Sequence, residues 1–336
     1  MASTTRAEVT FQWAAVGDAG NVGDVQSQGT FGSVAYPYRI SKYEVTYAQY
    51  TPFLNAKDPT GANTLGLYRQ IMNNFGIDNN PGNASGLWYN VTPGFENKPV
   101  RFVSWYDSIR FANWLHNGQG NGDTETGAYT LTGGTPTPTN GNSITRNAGA
   151  TVFLTSENEW YKAAYYKGVG TNAGYWDYST QTDAVPISDE PPGTFAPTNS
   201  ANYFNNDGLI NGYNDGGALA PGTGATDVGA YAASVSAYGT FDQTGNAMEW
   251  NESFTGLYRG LRGEAYDGNI FGIPASSRGG DVPTAEPGNI GFRVATTIPE
   301  PGGLALMCLG LPALLRRRAR SSAAQDEREE LTRNGR

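Results

Sequence analysis

PVRFVSWYDSIRFANWL, residues 99–115, decides how the chain folds. Within it Trp105, Ile109, Ala112 and Leu115 recur at helical spacing, so the stretch predicts an amphipathic helix from about Trp105 to Leu115 with those four residues as its buried stripe. Two more helices read outward from it. Upstream, Thr46 and Gln49 have capping-box spacing, and Tyr47, Tyr50 and Leu54 fall on one face. Pro52 lies too deep for a first turn and is expected to kink or shorten that helix. Downstream, Ser156 with Glu159 three residues on caps a helix carrying Trp160, Ala163 and Ala164. Trp105, Trp114, Trp160 and Trp250 read as core.

Between these helices the chain is loop-like. Residues 117–150 are rich in Gly, Thr, Asn and Pro, as an insertion of hairpins and loops would be, and residues 168–239 are similarly irregular. Forty-five glycines in 336 residues fit a domain that spends much of its length in turns. No internal repeat of fixed period emerges.

Charge narrows the function. The last 39 residues hold seven Lys or Arg and five Asp or Glu, which leaves residues 1–297 with 15 basic against 26 acidic groups. A body this acidic is a poor partner for nucleic acid, whose phosphates require Lys and Arg, and suits cations better. The only cysteine is Cys308 and the only histidine is His116. Intrachain disulfides, thiol pairs and multi-histidine metal centres are thereby excluded. His116, near a helix end, reads as structural, and no nucleophile-elbow motif accompanies it, so no catalytic residue is assigned.

Asp242 and Glu249 flank Gly245-Asn246-Ala247. Two carboxylates around a Gly-containing bend that turns main-chain oxygens inward suit a hard cation such as calcium. The tyrosines at 165, 166, 175 and 178 are candidates for a sugar- or peptide-binding surface, because aromatic rings stack on both.

The C-terminal end is distinct. Ile298-Pro299-Glu300-Pro301 leads into fourteen uncharged residues, 302–315, then Arg316, Arg317, Arg318 and Arg320. A basic cluster after an apolar run fits a membrane stop, though this one is shorter than the roughly 20 residues of a full span. The order of parts resembles the PEP-CTERM sorting signal. That resemblance implies export, a location at the cell envelope or outer surface, at least transient membrane anchoring, and processing by an exosortase-type enzyme. Residues 1–13 carry no signal-peptide pattern, and residues 321–336 extend past the usual end of such a signal.

Six segments occur in the order seen in the sulfatase-modifying-factor (formylglycine-generating enzyme) family. They are 41–56 (SKYEVTYAQYTPFLNA), 99–115, 154–164 (LTSENEWYKAA), 245–250 (GNAMEW), 259–266 (RGLRGEAY) and 291–295 (GFRVA). The chain resembles that family over residues 11–296, followed by the anchor at 298–320 and a polar tail at 321–336. The resemblance implies an α+β domain of C-type lectin-like fold, loop-rich, with a small antiparallel sheet and flanking helices. It implies calcium held by Asp242, Gly245, Ala247 and Glu249, with the Gly and Ala contributing carbonyls. A second calcium site maps to Asn202, the Tyr203 carbonyl and Asp215. It places Arg278 near the substrate groove as a ligand-binding residue, and Arg293 on the final strand as a buried ion-pair former.

The family's oxidases convert a cysteine of sulfatases to formylglycine, using oxygen and copper held by two cysteines. Here the corresponding window, residues 266–293, has no Cys and no Met, and the Gly-Gly-Ser-Trp-like segment reads Gly263-Glu264-Ala265-Tyr266. Copper(I) takes thiolate or thioether ligands, so no copper is expected. The related iron-dependent branch needs several histidines. The expectation is a calcium-stabilised, non-oxidase binding module for exopolysaccharide or an exported protein or peptide. The other class it admits is an enzyme of the same family acting on exported proteins through a changed, non-cysteine site.

Overall fold

The computed structural model describes residues 8–205 and 224–298. Strands β1 (Trp13–Val16), β2 (Asp24–Gln26), β3 (Gly29–Phe31) and β4 (Tyr38–Ser41) precede helix α1 (Tyr47–Lys57). β5 (Ile77–Asn79) and β6 (Tyr89–Val91) lead to α2 (Trp105–His116), and β7 (Val152–Leu154) enters α3 (Glu157–Tyr165). The short β8 (Ile187–Ser188) and β9 (Ser200–Ala201) follow. The domain closes with β10 (Met248–Thr255), β11 (Tyr258–Arg262), β12 (Gly279–Asp281), β13 (Ile290–Phe292) and β14 (Val294–Thr297).

Two four-stranded sheets organise these elements, in the orders β1-β4-β14-β7 and β12-β11-β10-β13. The first is antiparallel throughout; in the second, β13 runs parallel to β10, with Glu249 opposite Gly291. Arg293 is the single residue between β13 and β14, so the chain passes from one sheet to the other at this arginine. Everything Arg293 touches is therefore placed at the seam of the fold.

All three helices start where their caps require. Thr46, Ser104 and Ser156 each accept from the backbone N–H three residues on, and the side chains of Gln49, Asp107 and Glu159 accept in turn from the backbone N–H of the cap residue. Each box satisfies two N–H groups that the first turn would otherwise leave bare. Of the two effects expected of Pro52, shortening does not occur: α1 runs through it to Lys57. The proline's missing N–H and ring cost a helix interior about 3 kcal/mol. That cost is outweighed by tertiary burial, because Tyr47, Tyr50, Phe53 and Leu54 on the same helix are fully inaccessible to solvent.

α2 also departs from an amphipathic helix, since every residue from Trp105 to Leu115 is buried. The 117–150 insertion covers the face that would otherwise meet water. Arg110 donates to Glu125 (2.7 and 3.2 Å) and to the carbonyls of Thr135 and Pro136 (2.7 and 3.0 Å). Asn113 donates to the carbonyls of Thr124 and Tyr129 and accepts from the Tyr129 N–H. The polar stripe of α2 is thus satisfied by the insertion, as a buried polar face must be. In the principal core the aromatics of α1 and α2, Tyr50, Phe53, Phe111 and Trp114, pack on one another and, through Phe111, on Phe292 of β13 in the second sheet. All four tryptophans read as core are buried.

Candidate functional site

The bend before β10 is built from left-handed residues: Asp242, Gly245 and Asn246 have φ of 60°, 89° and 65°. Gly245 is obligatory there, because a Cβ would overlap the carbonyl oxygen of Asn202. Asn246 fastens the bend to three segments. Its N–H donates to the Asn202 carbonyl (2.8 Å), its Oδ1 accepts from Thr226 N (2.9 Å), and its amide donates to Glu44 Oε1 (3.0 Å).

Glu249 then leaves the bend into the interior. Arg293 donates to both of its oxygens at 2.6 Å, and Trp160 Nε1 adds a third bond at 2.8 Å. Neither partner of this pair is accessible to solvent. Arg293 also donates to the carbonyls of Ser41 (3.1 Å), Lys42 (3.2 Å) and Phe241 (2.9 Å). The ion-pair role expected for Arg293 is what the structure shows.

Two further carboxyls face this pair. Asp242 accepts from Gly229 N (2.6 Å), and burial pushes its carboxyl up to about 6 against that bond and the nearby Arg293 charge. Glu44 is 1% exposed, and its Oε2 is buried without a hydrogen-bond partner. Burial first, then the charges of Asp242 and Glu249, hold Glu44 well above the usual carboxylate range. Three buried carboxyls therefore share one guanidinium. Glu44 is not among the residues that the sequence marks as a candidate ligand. The available signal was an acid inside SKYEVTYAQY, two residues ahead of a helix cap.

Tested as a calcium site, the bend is a partial fit. Glu249 lies close enough to Asp242 to push its carboxyl up, and Glu44 brings a third buried carboxyl to the same place, hard oxygen donors of the kind a calcium ion takes. Against this, Glu249 is already saturated by Arg293 and Trp160. Among the described residues, no three acidic, His or Cys side chains converge as a metal-holding group. Of the second set, Asn202 donates to the Gly224 carbonyl (2.8 Å) and the Tyr203 carbonyl accepts from Ser188 Oγ (2.5 Å). Asp215 lies outside the described residues.

Arg278 is paired rather than open. Its Nε and Nη2 donate to the two oxygens of Glu157 (2.7 and 2.8 Å), and Arg262 Nε donates to the same carboxylate (2.9 Å). Burial alone would raise Glu157, but the two arginines outweigh it and hold its carboxyl below the ordinary value. A ligand at Arg278 competes with that contact.

An acid from just ahead of the cysteine-free window packs on two of its glycines. Glu264 sits at φ 59°, a conformation that suits glycine. A Cβ at Gly268 or Gly272 would overlap its carboxylate, so those two glycines form the cradle it lies in. Burial, offset by a bond from Ala265 N (3.1 Å) and reinforced by the Asp267 charge, raises its carboxyl above the usual range.

His116 closes α2, and its Nδ1 accepts from Thr151 N (3.1 Å), the structural role expected of it. The tyrosine surface needs correction. Tyr165, Tyr166 and Tyr178 are buried at 1%, 1% and 6% exposure, because α3 and its following loop turn them into the interior; Tyr175 alone of the four is partly exposed.

Among the described residues two four-stranded sheets, three two-stranded ones, three capped helices and long loops make up a loop-rich α+β domain of C-type lectin-like fold. The chain belongs to the sulfatase-modifying factor enzyme 1-like domain family, whose model matches residues 24–298. Among solved structures it is similar to CarF, at 19% identity over 87% of this chain and 100% of that one, with a TM-score of 0.56. It is also similar to Treponema denticola variable protein 1, at 18% identity over 85% of this chain and 95% of that one, with a TM-score of 0.52. No curated protein matches it in sequence.

Proposed function

We propose that this chain is a non-oxidase member of its family, a binding module displayed outside the cell. One observation carries it: the window where the family's oxidases hold copper has no thiol or thioether, and the acid Glu264 lies across its Gly268–Gly272 cradle. A carboxylate does not replace two thiolates as a ligand set for copper(I). What remains is a rigid scaffold with long loops on its surface, the arrangement that serves recognition.

Calcium belongs to this proposal as a structural ion at Asp242, Gly245, Ala247 and Glu249, with Glu249 shared between the ion and Arg293. Its effect is to offset the surplus charge of Glu44 and Asp242. Export and anchoring rest on the proline-glutamate-proline, apolar and arginine series at 298–320, which lies outside the described residues beyond Ile298. Among the described residues no helix is long and apolar enough to cross a membrane. The proposed ligands are exopolysaccharide or a segment of an exported protein. Arrays of glycans and of peptides probed with the full chain test this: retention on either class is the expected result, and retention on neither removes the module.

A further inference from the structure

We infer that a pocket between the 22–24 and 172–175 loops binds a neutral hexose unit of a polysaccharide, which deepens and rests on the binding-module proposal. The pocket has a volume of about 230 Å³ and is lined by Val22, Gly23, Asp24, Asn172, Gly174 and Tyr175. That is below the roughly 300 Å³ at which pockets for drug-sized ligands begin, so it suits one ring at a time.

The walls are fixed in advance. Asn21, 1% exposed, donates to the Gly32 carbonyl (2.8 Å) and to Tyr175 Oη (2.7 Å), and accepts from Val34 N (3.1 Å). Tyr175 in turn donates to the Val22 carbonyl (2.9 Å), while Val22 N donates to the Thr171 carbonyl (2.9 Å). Gly170 N donates to Asp18 Oδ1 (2.9 Å), tying the same two loops again. Tyr161 and Tyr166 pack on the Tyr175 ring at 5.6 and 4.9 Å between centroids. A pocket cross-linked in this way loses little entropy when a ligand enters.

Its chemistry has two sides. Asp24 Oδ2 accepts from Tyr161 Oη (2.6 Å) and Gln26 Nε2 (2.7 Å), which orients the carboxylate and leaves Oδ1 without a partner among the described residues. Asn172 is exposed, and its amide likewise has no partner among the described residues. The same lining also includes the Tyr175 ring and Val22, the latter 61% exposed. Hydroxyls on one edge and C–H groups on a face are what a pyranose presents to such a pair of walls. Asp177 lies close enough to Asp24 for their charges to interact, with Lys167 offsetting part of that charge, and the net carboxylate excess disfavours uronic-acid chains.

Titration of the full chain with maltohexaose, cellohexaose and mannohexaose, and with polygalacturonate as the acidic counterpart, tests the site. At least one neutral hexaose should bind, and Asp24→Asn and Asn172→Ala should each weaken it about tenfold with the melting temperature unchanged. Asn172 is exposed, so its variant stays informative if Asp24→Asn alters folding. Neutral-sugar binding untouched by both variants overturns this pocket while leaving the module standing. Preference for polygalacturonate, or binding of peptides and no sugar, overturns the ligand class. Retention of no ligand of either kind removes the module itself.

Discussion

Replacing Arg293 with Met should cost the domain much of its stability. The guanidinium makes five hydrogen bonds, two to Glu249 at 2.6 Å and three to the carbonyls of Ser41, Lys42 and Phe241. Neither Arg293 nor Glu249 is solvent-accessible. Met fills much of the volume but leaves Glu249 with only Trp160 Nε1, beside Glu44 and Asp242. Removing one partner of a buried pair costs about 3–5 kcal/mol, a large part of the 5–15 kcal/mol that holds a typical domain. With a denaturation slope of about 3 kcal/mol per molar urea, the unfolding midpoint should fall by about 1 to 1.7 M. Glu249→Gln in the same chain should recover part of the loss, because no charge is then left stranded at the seam. A midpoint within about 0.3 M of wild type at neutral pH would show that the seam is not held by this pair.

Gly245→Ala should destabilise the domain by about 2–5 kcal/mol, seen as a lower melting temperature, because it combines a positive φ with overlap on the Asn202 carbonyl. Asp107 is buried at the start of α2, and its carboxyl is pushed up to about 6, burial being the largest cause. A folded value above the unfolded one means that the native state takes up the proton first. Wild type should therefore gain stability relative to Asp107→Asn as pH falls from 7 to 4, and urea midpoints across that range should show the gap widening. If calcium binds as proposed, chelator should lower the melting temperature by the loss of about 2.7 kcal/mol at 100-fold saturation. Asp242→Ala with Glu249→Ala should remove that response; a chelator-insensitive wild type would dismiss the ion.

The local signals in the sequence carried further than the global ones. Capping residues at Thr46 and Ser156 act within four residues of themselves, so their boxes were legible and appear in the structure. The ordered segments from residue 41 to residue 295 were sufficient for the lectin-like fold. That α1 runs on through Pro52 was not legible, because a local penalty says nothing of how much of the helix is buried. The all-round burial of α2 was hidden for the same reason: its polar face is satisfied by an insertion whose composition says loop and nothing about where the loop lies. Glu44 and Glu264 illustrate the limit for the site. Glu44 meets Asn246 across 202 residues, and the cradle under Glu264 is made by glycines that looked like ordinary turn residues. Tyr165, Tyr166 and Tyr178 could not be told from surface tyrosines, since a phenol serves a core and a binding face equally well.

The central claim is that the fold has been kept and the oxidase chemistry has not. Incubating the full chain with a sulfatase-motif peptide, oxygen and copper, and reading the peptide by mass spectrometry, tests it most directly. With no thiol or thioether in residues 266–293 and Glu264 lying in the cradle, the cysteine should remain unconverted, at the level of a control without protein. Accumulation of the formylglycine aldehyde above that control would contradict the account, and would require a copper-binding set elsewhere in the chain.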